Sequence, residues 1–288
     1  MADRKFGFIG LGQMGAPMAA NIARGGFPLA VFDRAGTAER APAGAQVLDS
    51  VAAVARAADT VFLSLPDGAV SLAVVGEIAD TDGRRTGVVV DLSTVGPEAA
   101  RAADARCRAA GVTYVDAPVS GGQAGARAAT ITVMWAGPRD VMDGHMDVLR
   151  SFCGNPFHVG EAPGQGQALK ILNNFLSGTA MAATSEAVLY GLSQGLDMKT
   201  LLDVVNASTG QNTASRDKFP QRVLTGTFDA GFTTALLAKD LGLYLDNAAA
   251  AGTPTAVARA VMDLWRACDA ARPGSDITRV YEFIRDGA

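Results

Sequence analysis

Short β-branched runs alternate with alanine-rich stretches along the first 160 residues. The runs at 5–9, 29–33, 60–65, 88–92, 113–116, 131–136 and 156–159 are apolar and bounded by Gly, Asp or Pro, which predicts strands. Between them, 14–24, 50–57, 97–109 and 139–151 carry helical patterns, and Pro97 suits the first turn of its helix, where no N–H is missed. This alternation predicts an α/β domain built on a mostly parallel sheet covered on both faces. After residue 159 the pattern changes. The segment 160–166 is rich in Gly and Pro and is expected to act as a hinge, and no convincing strand follows it. A helix over 168–192 is apolar nearly all round, with only Lys170 and Glu186 charged, and is expected to be buried on most sides. Further helices are predicted at 198–206, 236–251 and 255–270. The expected organisation is therefore an α/β domain over 1–162 and an all-α domain over 163–288.

Composition narrows the function classes. The 288 residues carry 25 Lys+Arg against 29 Asp+Glu, a net charge of −4, with no basic block. That balance argues against a nucleic-acid coat or an anionic-membrane binder. A hydrophobic fraction of 49% excludes wholesale disorder. The basic pair Arg4-Lys5 and the apolar stretch after it could pass for a secretory leader, but Gly10, Gly12, Gln13, Gly15 and Pro17 interrupt it. No uninterrupted apolar run reaches about 18 residues, so no membrane span is expected. Cys107, Cys153 and Cys268 form no CxxC, and His145 and His158 have no metal-ligand spacing. No metal is expected, and the expected compartment is the reducing cytoplasm.

Three strings carry chemistry. Gly10, Leu11, Gly12, Gln13, Met14 and Gly15 follow a strand and open a helix, as a dinucleotide phosphate requires: a tight turn, close backbone approach and a helix N-terminus. Asp33 ends the second predicted strand 23 residues after Gly10, where a carboxylate accepts hydrogen bonds from a ribose. It should repel a 2′-phosphate: like charges about 4 Å apart cost on the order of 4 kcal/mol at an effective dielectric near 20. Arg34, with help from Arg40, could offset that repulsion. The cofactor is therefore NAD or NADP, with the balance toward NAD. The second string contains Lys170, Asn173 and Asn174. Lys170, Asn174, Ser177 and Met181 share one helical face. An ammonium on an apolar helix is costly, and its burial lowers its pKa toward the range useful for proton donation near neutrality. The third string, Asp116 to Gly122, offers in Ser120, Gly121 and Gly122 a hydroxyl and successive amides suited to a carboxylate. Lys239-Asp240, on an apolar helix, reads equally as a surface ion pair.

Together these strings resemble the β-hydroxyacid dehydrogenase family. Phe8 to Ile22 is similar to its opening signature, Asp116 to Gly122 to its substrate string, Lys170 to Asn174 to its catalytic string, and Lys239-Asp240 to its late cofactor string. The resemblance implies a Rossmann-type N-terminal domain joined by a long helix to an all-α domain, in homodimers or homotetramers. It implies Lys170 as the general acid/base, with Ser120, Gly121, Gly122 and Asn174 holding a small carboxylate substrate. It also implies that Gly10 to Gly15, Leu65, Pro66, Thr94 and Lys239 contact the dinucleotide. Val70 stands where some relatives carry a cofactor-contacting asparagine, and Asn173 replaces the histidine of the 6-phosphogluconate dehydrogenase string. The expected reaction interconverts a small β-hydroxy acid and its semialdehyde. An imine reductase of the same architecture is the near alternative, against which Lys170 speaks. A non-catalytic nucleotide-binding module is the distant one.

Overall fold

Strands β1 (Phe6–Ile9), β2 (Leu29–Phe32), β3 (Gln46–Val47), β4 (Thr60–Leu63), β5 (Val88–Asp91), β6 (Thr113–Asp116), β7 (Val119–Ser120), β8 (Ile131–Ala136) and β9 (Cys153–Gly160) form one sheet. Its order is 3-2-1-4-5-6-8-7, with β9 against β8. From β3 to β6 all neighbours run parallel, and β8 turns antiparallel to β6 and β7. The computed structural model describes residues 4–287. The chain divides into two compact units, Met1–Lys170 and Ile171–Ala288.

In the first unit, helices α1 (Gly15–Arg24), α2 (Val51–Ala57), α3 (Gly68–Asp80), α4 (Pro97–Ala109), α5 (Gly122–Ala128), α6 (Arg139–Gly144) and α7 (Met146–Phe152) cover the sheet. The strand period of two explains the two cores. Phe8 and Phe62 pack with Met18 and Ile22 on one face, while Ile9, Val61 and Leu63 pack with Ile78 and Cys107 on the other. This is a Rossmann-type sheet, and the order β3-β2-β1-β4-β5-β6 reverses direction between β1 and β4, the position where such sheets take ligands.

Several expectations need correction. The helix expected over 139–151 breaks at His145, whose ring bonds Val141 O at 2.6 Å and Thr60 Oγ1 at 2.8 Å. Helix α3 has no counterpart in the expected elements; the Asp67 side chain starts it by accepting the Val70 N–H. Helix α5 was hidden in a glycine-rich string, and β3 and β7 are two-residue strands. The Gly/Pro segment is not a free hinge. Its end is tied to β6, as described below.

Helix α8 (Gln165–Ser193) begins in the first unit and continues into the second. The second unit adds α9 (Met198–Asn206), α10 (Thr234–Ala250), α11 (Ala256–Ala271) and α12 (Val280–Arg285). Met181, Phe219, Leu237, Met262 and Trp265 form its core, and Trp265 Nε1–H donates to Gly178 O at 3.2 Å. The expectation that α8 is buried on most sides fails. Leu169, Leu172, Leu176 and Tyr190 form an exposed stripe, with Leu176 58% exposed, because only the opposite stripe meets the chain's own cores. Ala214–Val223, outside the helices expected for this half, winds as a wide π-helical stretch with Pro220 inside it. Among the described residues no helix is long and apolar enough to cross a membrane.

Candidate active site

The carboxyl ends of the parallel strands bring the nucleotide string together within the first unit. Gly10 follows β1 directly with φ +95°, and a Cβ there would lie 2.2 Å from Ser64 O. A Cβ on Gly15 would lie 1.9 Å from Gly10 O. Gly12 is exposed and meets nothing within 4 Å, so its backbone is open to a ligand. Helix α1 starts without a side-chain cap and without an acid in its first turn, which leaves its positive end for an anion. A cleft of about 740 Å³ opens here, lined by Leu11, Gly12, Gln13, Arg40 and Arg127 among others. The residues present fit a dinucleotide phosphate.

Asp33 stands just past β2, and its carboxylate already has partners. Leu11 N–H donates to Oδ2 at 2.6 Å and Ala35 N–H to Oδ1 at 2.7 Å, while Arg40 pairs with Oδ1 at 3.3 Å. The acid therefore braces the glycine loop. Arg34 is exposed beside it. Leu65, on the loop after β4, donates its N–H to Ser93 Oγ at 2.8 Å, tying that loop to the one that carries Thr94. Leu65 and Thr94 are half-buried and Pro66 is exposed.

Lys170 is 9% exposed on the inward face of α8. Two groups hold the start of its helix. Asp116, at the end of β6, accepts the Gly164 N–H at 3.0 Å and the Gln167 N–H at 2.8 Å. A Cβ on Gly166 would lie 2.8 Å from Asp116 Oδ2, so only glycine admits this approach. Gln167, fully buried, accepts the Val95 and Gly96 N–H groups at 2.9 and 3.1 Å and donates to Ser93 O at 3.0 Å. One glutamine thus links the loop carrying Thr94 to the turn that precedes Lys170. Neither Asp116 nor Gln167 was assigned a site role from sequence. The available signal was a polar residue in an apolar helix start, three positions before the lysine. Ser120 ends β7 half-buried, and Gly121 and Gly122 follow it, exposed, at the start of α5.

In the second unit, Asn174 Nδ2–H donates to Asp240 Oδ2 at 2.6 Å. Asp240 is buried and pairs with Lys239 at 3.3 Å. Its burial corrects the reading of Lys239-Asp240 as a surface ion pair: the acid turns inward to orient Asn174, and Lys239 stays half-exposed.

Residues 5–160 match the model for the NAD binding domain of 6-phosphogluconate dehydrogenase. Residues 164–284 match the model described as NAD-binding of NADP-dependent 3-hydroxyisobutyrate dehydrogenase. The 3-hydroxyisobutyrate dehydrogenase of Pseudomonas aeruginosa is 38% identical, covering 96% of this chain and 97% of its own. The chain belongs to the β-hydroxyacid dehydrogenase family. The 2-(hydroxymethyl)glutarate dehydrogenase of Eubacterium barkeri is 36% identical, covering 96% of this chain and 95% of its own. A solved structure of Mycobacterium tuberculosis 3-hydroxyisobutyrate dehydrogenase with L-serine superposes with a TM-score of 0.89 at 31% identity, covering 98% and 99% of the two chains. The protein is accordingly an NAD(P)-dependent β-hydroxyacid dehydrogenase.

In this dehydrogenase Asp116 carries an electrostatic tension. Burial pushes its carboxyl up to about 7; the Gln167 and Gly164 amides oppose that, and the charge of Asp91 on the neighbouring strand adds to it. An acid whose pKa is raised by folding binds more protons folded than unfolded between about pH 4 and 7. Its contribution to stability therefore falls as pH rises through that window. Asp116→Asn removes this dependence and, at every pH, one of the two accepted N–H bonds. The melting temperature of the variant minus that of the wild type is expected to rise from pH 4 to 7 and level off above it. A difference that stays flat across the window would remove the buried charge from the account.

Proposed function

We propose that the enzyme interconverts a 2-(hydroxymethyl) carboxylate, HOCH2–CH(R)–COO−, and its semialdehyde, with NAD preferred. The names of the relatives support the skeleton: 3-hydroxyisobutyrate, 2-(hydroxymethyl)glutarate and L-serine share it and differ only at R. The observation that carries the reading is Lys170, a buried lysine three residues beyond a turn held by Asp116 and Gln167. Gly10 to Gly15, Asp33, Leu65, Pro66, Thr94 and Lys239 would hold the dinucleotide, with Arg34 at its adenosine end. When bound, the nicotinamide supplies or accepts the hydride at the hydroxymethyl carbon.

The chain's own residues do the rest. In oxidation the uncharged Lys170 amine takes the hydroxyl proton as the carbon loses its hydride, and in reduction the ammonium returns it to the forming alkoxide. Ser120 and the Gly121 and Gly122 amides hold the carboxylate. Asn174, its amide steadied by Asp240, holds the hydroxyl oxygen. Fixing the carboxylate orients the reacting carbon, and such positioning supplies a large share of the barrier reduction. What supports NAD is Asp33, just past β2, whose charge two backbone amides hold in place and which would repel a 2′-phosphate.

The test is a panel of 2-(hydroxymethyl) acids assayed with NAD and NADP by the absorbance of the reduced nicotinamide. The expected result is turnover with kcat/KM at least about tenfold higher for NAD, roughly 1.4 kcal/mol. Tight dinucleotide binding with silence across the panel would favour the non-catalytic module.

A further inference from the structure

Lys218 lies within the wide stretch Ala214–Val223 of the second unit, and no part of the chemistry above uses it. Its Nζ donates to Ser177 Oγ at 3.2 Å. An ammonium has three N–H donors, and among the described residues no carboxylate lies within ion-pair distance of this one. Burial depresses its pKa, while Asp217 and Asp276 oppose that only from farther off. A half-buried cation whose side-chain partner is one neutral hydroxyl keeps donors available for an anion.

Its surroundings are built rather than loose. Asn212 Oδ1 accepts the Ala214 and Ser215 N–H groups at 2.8 and 3.1 Å, and Asn212 Nδ2–H donates to Thr184 Oγ1 at 3.1 Å. The turn that leads into Lys218 is thereby fastened to α8. Ser177 follows Asn174 by three residues and Lys170 by seven on that helix. At about 100° per residue, seven residues return to within about 20° of Lys170, roughly 10 Å further along the axis. Lys170, Asn174 and Ser177 therefore share a face, and Lys218 meets it at the far end from the lysine.

We propose that Lys218, together with Ser177, forms a subsite for a second carboxylate borne on the α-substituent R of the substrate. The inference rests on the assignment of Lys170 and Asn174 to the substrate side under the proposed function. A methyl group at R leaves the two remaining N–H donors without an anion. A carboxylate on a short methylene arm accepts them as charge-assisted hydrogen bonds and neutralises the half-buried cation. The substrate class narrows to 2-(hydroxymethyl) dicarboxylates.

The experiment compares 3-hydroxyisobutyrate, whose R is methyl, with 2-(hydroxymethyl)glutarate, whose R ends in a carboxylate. The wild type is expected to favour the dicarboxylate by at least about tenfold in kcat/KM. Lys218→Met is expected to lower that preference ratio by about 100-fold, mainly through KM for the dicarboxylate, and Lys218→Arg to recover most of it. Should Lys218→Met melt early, Lys218→Gln carries the same comparison. No wild-type preference, an unchanged ratio in the variant, or equal loss on both acids overturns the subsite while leaving the proposed function standing. Failure of the wild type to turn over either acid while it oxidises others of the panel also refutes the subsite alone. Silence on every acid overturns both.

Discussion

Replacing Lys170 by alanine is expected to lower kcat by about 10³-fold, near 4 kcal/mol of barrier, while dinucleotide affinity stays within a few-fold. The reasoning starts from burial. Lys170 is 9% exposed, so its amine is withdrawn from bulk water and water cannot readily replace it as a proton carrier. Its helix start is held by Asp116 and Gln167, whose bonds involve backbone amides and side chains other than Lys170. Truncation should therefore leave those bonds of the turn in place. Lys170→Arg sharpens the test. The guanidinium keeps the charge but does not release its proton in a protein, so the arginine variant should be nearly as slow as the alanine one. Single-turnover rates with dinucleotide affinity measured separately decide the matter. Turnover within about tenfold of the wild type in Lys170→Ala would show that the proton leaves by another route.

Gly15→Ala is expected to disrupt the first unit, and Gly12→Ala to spare it. The added methyl at Gly15 would sit 1.9 Å from Gly10 O, where neither backbone segment can readily yield: Gly10 directly follows β1, and Gly15 opens α1. Overpacking typically costs about 1–3 kcal/mol, and a clash with backbone belongs at the upper end, which should appear as a melting temperature lower by several degrees together with lost dinucleotide binding. At Gly12 the methyl meets nothing within 4 Å, so the fold accepts it. A dinucleotide whose phosphates approach this backbone does not. Gly12→Ala is thus expected to bind at least about tenfold more weakly at an unchanged melting temperature. Thermal melts with and without dinucleotide separate the two effects. Equal affinity in Gly12→Ala and wild type would move the phosphates away from this loop.

Much of this was legible along the chain because it depends on near neighbours. The runs that became β1, β2 and β4 to β6 are β-branched and bounded, α4 opens on Pro97, and α9 coincides with its predicted range. The glycine spacing announced a phosphate turn, and one lysine in an apolar helix marked the candidate acid/base. Less legible were the elements whose cause lies elsewhere. Helix α3 is nearly all apolar and offers no period, and the stretch around Pro220 is fixed only where Phe219 and Val223 enter the core of the second unit.

The site divides the same way. Local order alone set the strand-and-helix alternation, the glycine turn and the single amine on a greasy helix, since propensity and spacing act over a few residues. Folding chose which polar groups lose their water and whom they then meet. Asp116 reaches Gln167 across 51 positions, Asn174 reaches Asp240 across 66, and Lys218 reaches Ser177 across 41. Burial and partnership over such separations depend on how the whole chain packs, and a charged residue destined for the interior looks, in one dimension, like any other on the surface.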